Sequence, residues 1–114
     1  MRYTTSLTKN YEFKRLYNKG KNAASKHAAV YYAKNGTSEN RLGITVSTKL
    51  GGAVQRNRIR RRLKEIYRLN EHLFCVGYNI VLVARMRCLY AGWSELEESV
   101  LSLFKKLDLL NITK

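Results

Sequence analysis

The chain of 114 residues contains no proline, two cysteines, two histidines and only eight acidic residues. Average proteins contain about 5% proline, and without proline no cis-proline bond can shape a turn or slow folding. Cys75 and Cys88 have neither a Cys-x-x-Cys spacing nor nearby histidines. We therefore expect reduced, partly buried thiols rather than a disulfide or a metal site.

The few acidic residues are poorly arranged for catalysis. A nuclease that uses two metal ions needs carboxylates that converge on ions about 4 Å apart. Glu95, Glu97 and Glu98 instead fall in the first turn of a predicted helix, where negative charge suits the helix dipole. The other acidic residues are scattered along the chain: Glu12, Glu39, Glu65, Glu71 and Asp108. Neither His27 nor His72 has a neighbouring nucleophile, so we predict no catalytic residue and no metal ligand in this chain.

Long apolar runs are also missing. A membrane-spanning helix needs about 18 to 20 consecutive apolar residues, and no segment approaches that length. The first five residues lack the apolar core of a signal peptide. We expect a cytoplasmic protein without membrane contact, and the length predicts one domain over residues 1–114.

Positive charge is what the chain has in excess. There are 22 Lys and Arg residues, and the formal net charge is +14. Residues 56–68 hold six arginines and one lysine against the single Glu65. A solvated helix face would mix both signs to form ion pairs, and one glutamate cannot pair seven cations. Because the guanidinium group suits bidentate phosphate contacts, we predict a nucleic-acid partner.

Hydrophobic spacing predicts an α+β fold, a small single-sheet sandwich with helices packed on the sheet. The first half contains a helix capped by Asn10 and ended by a left-handed Gly20, then strands at 27–34 and 42–47 joined as a hairpin through Asn35-Gly36. The second half contains the basic helix at 52–70, a central strand at 77–85 and a helix opened by the capping box Ser94-x-x-Glu97.

The basic helix is predicted to be amphipathic. At about 100° per residue, Ile59, Leu63 and Ile66 share one face. The centre of the opposite face is formed by Asn57, Arg61, Lys64 and Arg68. Phe13 and Tyr17 lie one helical turn apart, and Tyr31 lies on the neighbouring strand. These aromatic residues are either core residues, as such spacing usually indicates, or a stacking platform for single-stranded nucleic acid.

The residues around the basic helix form a long, specific motif, Lys49-x-Gly51-x-Ala53-Val54-x-Arg56-Asn57-Arg58-x-Arg60-Arg61-x-Leu63-Lys64-Glu65. It is preceded by Phe13-x-x-Leu16-Tyr17-x-x-Gly20 and by the stretch from Arg41 to Ser47. From about residue 7 to residue 85, the chain resembles the protein component of bacterial ribonuclease P. The resemblance implies a left-handed strand-helix-strand crossover, whereas the general rule favours a right-handed one.

The resemblance also implies a function. The protein would assist hydrolytic removal of the 5′ leader from precursor tRNA, with the catalytic centre on an RNA subunit and Mg²⁺ required by the holoenzyme at RNA phosphates. The residues expected to dock on the catalytic RNA are Lys49, Arg56, Asn57, Arg58, Arg60, Arg61, Arg62, Lys64 and Arg68. Those expected to meet the leader are Phe13, Tyr17 and Tyr31. No protein oligomer is implied.

Two other functions remain open from the residues alone. Small basic α+β domains also serve as structural, ribosomal-type RNA-binding proteins. Co-purification with one long RNA, together with leader cleavage, would distinguish that function from the ribonuclease P function. A free-standing nuclease is disfavoured by the scattered carboxylates. RNA-free protein mixed with magnesium and precursor tRNA tests that second alternative.

Overall fold

A computed structural model describes residues 2–111 of the chain. The helices are α1 (Asn10–Lys19), α2 (Ala53–Asn70) and α3 (Trp93–Lys106). The strands are β1 (Thr4–Ser6), β2 (Lys21–Ala24), β3 (Ala28–Lys34), β4 (Asn40–Thr45) and β5 (Tyr78–Ala84). Short 3₁₀ helices occupy Thr48–Leu50, Glu71–Leu73 and Met86–Tyr90. The predicted α+β class is confirmed.

The strands form one mixed sheet in the order β1-β4-β5-β3-β2. β5 pairs in parallel with β4 and antiparallel with β3, which places it at the centre, as its β-branched composition predicts. β1 pairs in parallel with β4, and β2 pairs antiparallel with β3. The basic helix α2 therefore connects two adjacent parallel strands, β4 and β5.

The predicted hairpin between the strands at 27–34 and 42–47 is wrong. β3 and β4 are separated by β5, and the hairpin is formed by β2 and β3 instead. The turn chemistry itself is present, because the Asn35 side chain accepts a hydrogen bond from the Thr37 backbone N–H at 2.9 Å. Asn35 also donates to Asn79 on β5. The turn thus leaves room for the central strand rather than closing two neighbours.

The two faces of the sheet carry separate hydrophobic clusters. Alternate residues of β5, Ile80 and Leu82, face the larger cluster under α2 and α3. Val81 faces the other side, where it packs with Leu7 and Leu16 under α1. The period of two along a strand produces this division. Helices therefore cover both faces, and within residues 2–111 α1 is the one helix on its face.

The predicted helix boundaries need three corrections. Lys9, not Asn10, is the N-cap of α1, and Gly92 precedes α3, so neither helix has a side-chain cap. The capping box at Ser94 is wrong because Ser94 lies inside α3. Gly20 is extended, with φ −74°, rather than left-handed. A glycine is needed at position 20 because the backbone there lies close to α1, and a Cβ would lie 2.6 Å from the Leu16 carbonyl oxygen.

A polar network ties β1 to the end of α2. Glu71, 8% exposed, accepts hydrogen bonds from the backbone N–H groups of Arg2 and Tyr3 at 2.8 and 3.1 Å. It also accepts from the Thr4 hydroxyl at 2.5 Å. Burial opposes ionisation of this carboxyl, but the donated hydrogen bonds outweigh it, and the pKa of Glu71 lies below its ordinary value.

Candidate nucleic-acid interface

Helix α2 forms because its apolar residues recur with helical period, and it buries the predicted stripe. Ile59, Leu63 and Ile66 are buried against the sheet. Residues of the opposite face are exposed: Asn57, Arg58, Arg61, Lys64 and Arg68. Arg56, Arg60 and Arg62 are half-buried at the flanks, as expected for long stems that lie along the protein. The amphipathic prediction is confirmed.

Some of the basic side chains already have partners within the protein. Arg68 forms a two-point ion pair with Glu65, at 2.7 and 2.6 Å. The guanidinium is the main cause that lowers the pKa of Glu65. Arg60 donates to the Asn57 side-chain oxygen at 2.9 Å. Arg61 and Lys64, the central charges of the outward arc, have no ion-pair or side-chain hydrogen-bond partner among residues 2–111.

Lys49 lies just before α2, in the 3₁₀ helix Thr48–Leu50. Leu50 is buried and anchors that turn, while Lys49 remains exposed. The following Gly51 has φ 130°, a conformation that favours glycine. This turn holds Lys49 at the base of α2, close in sequence to the arginines of the helix.

The three aromatic residues predicted to meet a leader lie on the face of the sheet that α1 covers. The Phe13 ring packs on Gly43, where a Cβ would lie 2.5 Å from the ring. The rings of Tyr17 and Tyr31 meet edge to face, with centroids 5.0 Å apart. Tyr17 is 38% exposed, and its hydroxyl hydrogen-bonds the Thr45 hydroxyl at 2.8 Å. The set is half-buried, which leaves ring surface available to a ligand.

A cleft of about 400 Å³ lies between Phe13 and the basic helix. It is lined by Phe13 on one side and by Arg60 and Lys64 on the other. Its floor includes β1 and the following Leu7, whose backbone N–H donates to the Leu42 carbonyl at 2.9 Å. The two predicted surfaces are therefore adjacent around the edge of the sheet.

Carboxylates in this part of the protein serve as structural partners. Glu12 accepts from Arg41 at 2.6 Å, and this hydrogen bond is the main cause that lowers the pKa of Glu12. Residues 2–111 contain no group of three or more His, Cys, Asp or Glu placed to hold a metal ion. Over the same range, no helix is both long and apolar enough to span a membrane.

Comparison with known proteins identifies the family. A family model described as Ribonuclease P matches residues 1–108. The chain belongs to this family. The ribonuclease P protein component of Alkaliphilus oremlandii is 42% identical over 111 residues, covering 97% of each chain. That of Clostridioides difficile is 39% identical over 107 residues, covering 93% of this chain and 94% of that protein.

Solved structures of ribonuclease P proteins share the fold. The Staphylococcus aureus protein superposes with a TM-score of 0.84 at 31% identity, covering 93% of this chain and 97% of that one. The Thermotoga maritima protein gives 0.82 at 30% identity, covering 89% and 96%. Family membership places the chain in the ribonucleoprotein nuclease that processes tRNA.

Sequence reasoning missed the partners of several site residues. The sequence did not predict the contact of Phe13 with Gly43, because the pattern around Gly43 indicates only a strand with alternating apolar residues. The Arg68–Glu65 pair, by contrast, was detectable from its i,i+3 spacing. Arg62 donates to the Ala91 carbonyl at 2.7 Å, a contact between elements far apart in the chain.

Proposed function

We propose that this protein binds the catalytic RNA of ribonuclease P through α2 and the preceding Lys49. The observation that carries this proposal is the outward face of α2, where Arg58, Arg61 and Lys64 are exposed without an acidic partner among residues 2–111. Each phosphate bound by such a residue releases counterions, which supplies affinity without reading sequence.

The single-stranded 5′ leader of precursor tRNA would lie on the half-buried aromatic residues. Phe13, Tyr17 and Tyr31 offer ring faces and edges, and base stacking on aromatic side chains tolerates any sequence. The cleft between Phe13 and Lys64 supports a path for the phosphate backbone from the catalytic RNA to the leader. The protein would thus hold substrate and ribozyme next to each other.

The catalytic centre and the Mg²⁺ ions would belong to the RNA subunit, in the cytoplasm. This assignment is supported by the carboxylates of Glu12, Glu65 and Glu71, which each accept hydrogen bonds from the protein itself. The chain's own residues would bind and position RNA and would carry out no proton transfer in the cleavage step.

Reconstitution tests the proposal. The protein is combined with ribonuclease P RNA transcribed from the same genome, and cleavage of precursor tRNA is measured at physiological magnesium. We expect cleavage by the complex and none by the protein alone. Arg61→Ala should weaken RNA binding and reduce the slope of log K against log salt by about one unit or less. Unchanged affinity and slope for Arg61→Ala and Lys64→Ala would refute the RNA-docking role of α2.

A second experiment tests where the chemistry occurs. Each acidic residue is changed to Ala, and single-turnover cleavage is measured with saturating protein and precursor. Loss of a general acid or base costs about 10² to 10⁴ in rate, whereas we expect every variant that folds to keep the chemical step nearly intact. One variant with such a loss and an unchanged melting temperature would place catalysis on the protein.

A further inference from the structure

Tyr90 is a large aromatic residue whose side chain does not pack into the hydrophobic core. Its side chain is 87% exposed at the end of the 3₁₀ helix Met86–Tyr90. The backbone on either side is nevertheless anchored, because Cys88 and Ala91 are buried and Leu89 packs against the core. The ring is therefore held at the surface by a well-anchored segment rather than by a free loop.

A cleft opens between this segment and α2. Its volume is about 380 Å³, within the range of about 300 to 1,000 Å³ for small-ligand sites. The cleft is lined by Gln55, Arg58 and Arg62 of α2 on one side and by residues 89–92, including Tyr90, on the other. The guanidinium of Arg62 joins its two sides by donating to the Ala91 carbonyl at 2.7 Å.

The lining matches the chemistry of one nucleotide. Two guanidinium groups, from Arg58 and Arg62, suit a phosphate. The Gln55 amide can donate to and accept from a base edge, and Tyr90 can stack on a base. No carboxylate is among the lining residues, so an anionic RNA fits the cleft better than a protein surface of mixed charge.

We propose that the cleft between α2 and residues 89–92 binds one unstacked nucleotide of the ribonuclease P RNA, with its base on Tyr90 and its phosphate near Arg58. This proposal rests on the proposed docking of α2 on that RNA. It adds a contact that selects for RNA shape, because only a loop, bulge or end presents a base free to stack. The site is distinct from the aromatic residues under α1, which lie on the other face of the sheet.

The test measures binding of the full-length protein to ribonuclease P RNA from the same genome. Tyr90→Ala should weaken binding about 5- to 150-fold, the fold-change that corresponds to one stacked base. The salt slope should stay unchanged, since no phosphate contact is lost. Tyr90→Phe keeps the ring and should bind within about twofold of wild type on the same grounds. The exposed position of Tyr90 lets both variants fold, and thermal melting checks this.

Tyr11→Ala is the matched control, because Tyr11 is 65% exposed but lies on α1. Wild-type affinity for Tyr90→Ala would overturn the nucleotide site, and so would an equal loss for Tyr11→Ala. Sedimentation checks whether Tyr90→Ala alters self-association. If it does so without changing RNA affinity, the cleft is a contact between copies of the protein, and the nucleotide site is overturned. If Arg61→Ala and Lys64→Ala also bind like wild type in the same assay, the proposed docking of α2 fails too. If they bind more weakly while Tyr90→Ala does not, only the nucleotide site fails.

Discussion

The face of the sheet under α2 and α3 contains the largest fully buried side chains, including Tyr67, Phe104 and Leu63. Among residues 2–111, the hydrophobic cluster under α1 contains three buried residues, Leu7, Leu16 and Val81, and the aromatic residues around them stay half-exposed. Buried apolar area contributes about 25 cal/mol per Å², so most of the hydrophobic stabilisation comes from the first face. The second face can keep ring surface open at small cost to stability.

This division would allow one chain to carry both of the proposed RNA-binding surfaces. Helix α2 contributes its apolar side to the large cluster and its cationic side to solvent. Helix α1 crosses a face where Gly43 lets the Phe13 ring lie directly on the backbone. The face under α2 and α3 thus positions the basic helix, and the face under α1 holds the half-buried aromatic residues.

The largest expected effect comes from truncating the large cluster. Phe104 is fully buried and stacks on Phe74, with ring centroids 4.1 Å apart. Phe104→Ala should destabilise the protein by about 3 to 5 kcal/mol, measured by urea unfolding. Phe13→Ala, on the other face, is the comparison and should cost clearly less. Equal losses would show that the two faces contribute alike.

Glu71 tests the polar edge of the stable face. Glu71→Gln should cost about 1.5 to 3 kcal/mol at neutral pH, because the carboxylate accepts several hydrogen bonds. The pKa of Glu71 is lowered from 4.5, so its contribution is present above that pH and is lost as pH falls through the folded-state pKa. The variant should therefore lose less stability on acidification than wild type, as followed by thermal melting. Glu98→Gln, at an exposed position on α3, is the control.

Tyr31 tests the open face by binding. Tyr31→Ala should reduce the affinity of the reconstituted enzyme for leader-bearing precursor by about 1 to 3 kcal/mol. Affinity for mature tRNA should change little, because mature tRNA has no leader. Equal loss for both ligands, or destabilisation as large as that of Phe104→Ala, would return Tyr31 to a core role.

The smallest effect is expected from one hydroxyl group. Tyr17→Phe removes the hydrogen bond to Thr45 but keeps the ring against Tyr31. Stability should fall by about 0.5 to 1.5 kcal/mol at most, and leader affinity should stay near wild type. A large loss of leader affinity would mean that the Tyr17 hydroxyl, rather than its ring, contacts the leader.

The parts of the fold with strong local periodicity were predictable. The stripe of Ile59, Leu63 and Ile66 predicted both the existence of α2 and its orientation, and the structure confirms that these residues are buried. The β-branched run from Ile80 to Val83 predicted a central strand, also confirmed. In both cases the pattern reports burial, which is what determines the element.

Other features depended on contacts between distant segments. The strands Thr4–Ser6 and Lys21–Ala24 are short edge strands with few apolar residues, so no alternation revealed them. The turn at Asn35 predicted a hairpin because local chemistry cannot show that β5 enters between β3 and β4. Phe13, Tyr17 and Tyr31 do lie on one face, but their binding of a leader stays a prediction.

The central position of β5 has a consequence for the newly synthesised chain. β3 and β4 leave the ribosome first, then the cationic α2, and only afterwards the strand that must separate β3 from β4. Until residue 84 has emerged, both strands present unpaired edges, which can pair wrongly. A direct β3–β4 hairpin, favoured by the turn between them, is the natural competitor of the native sheet. Any such hairpin would have to open before β5 could enter between β3 and β4.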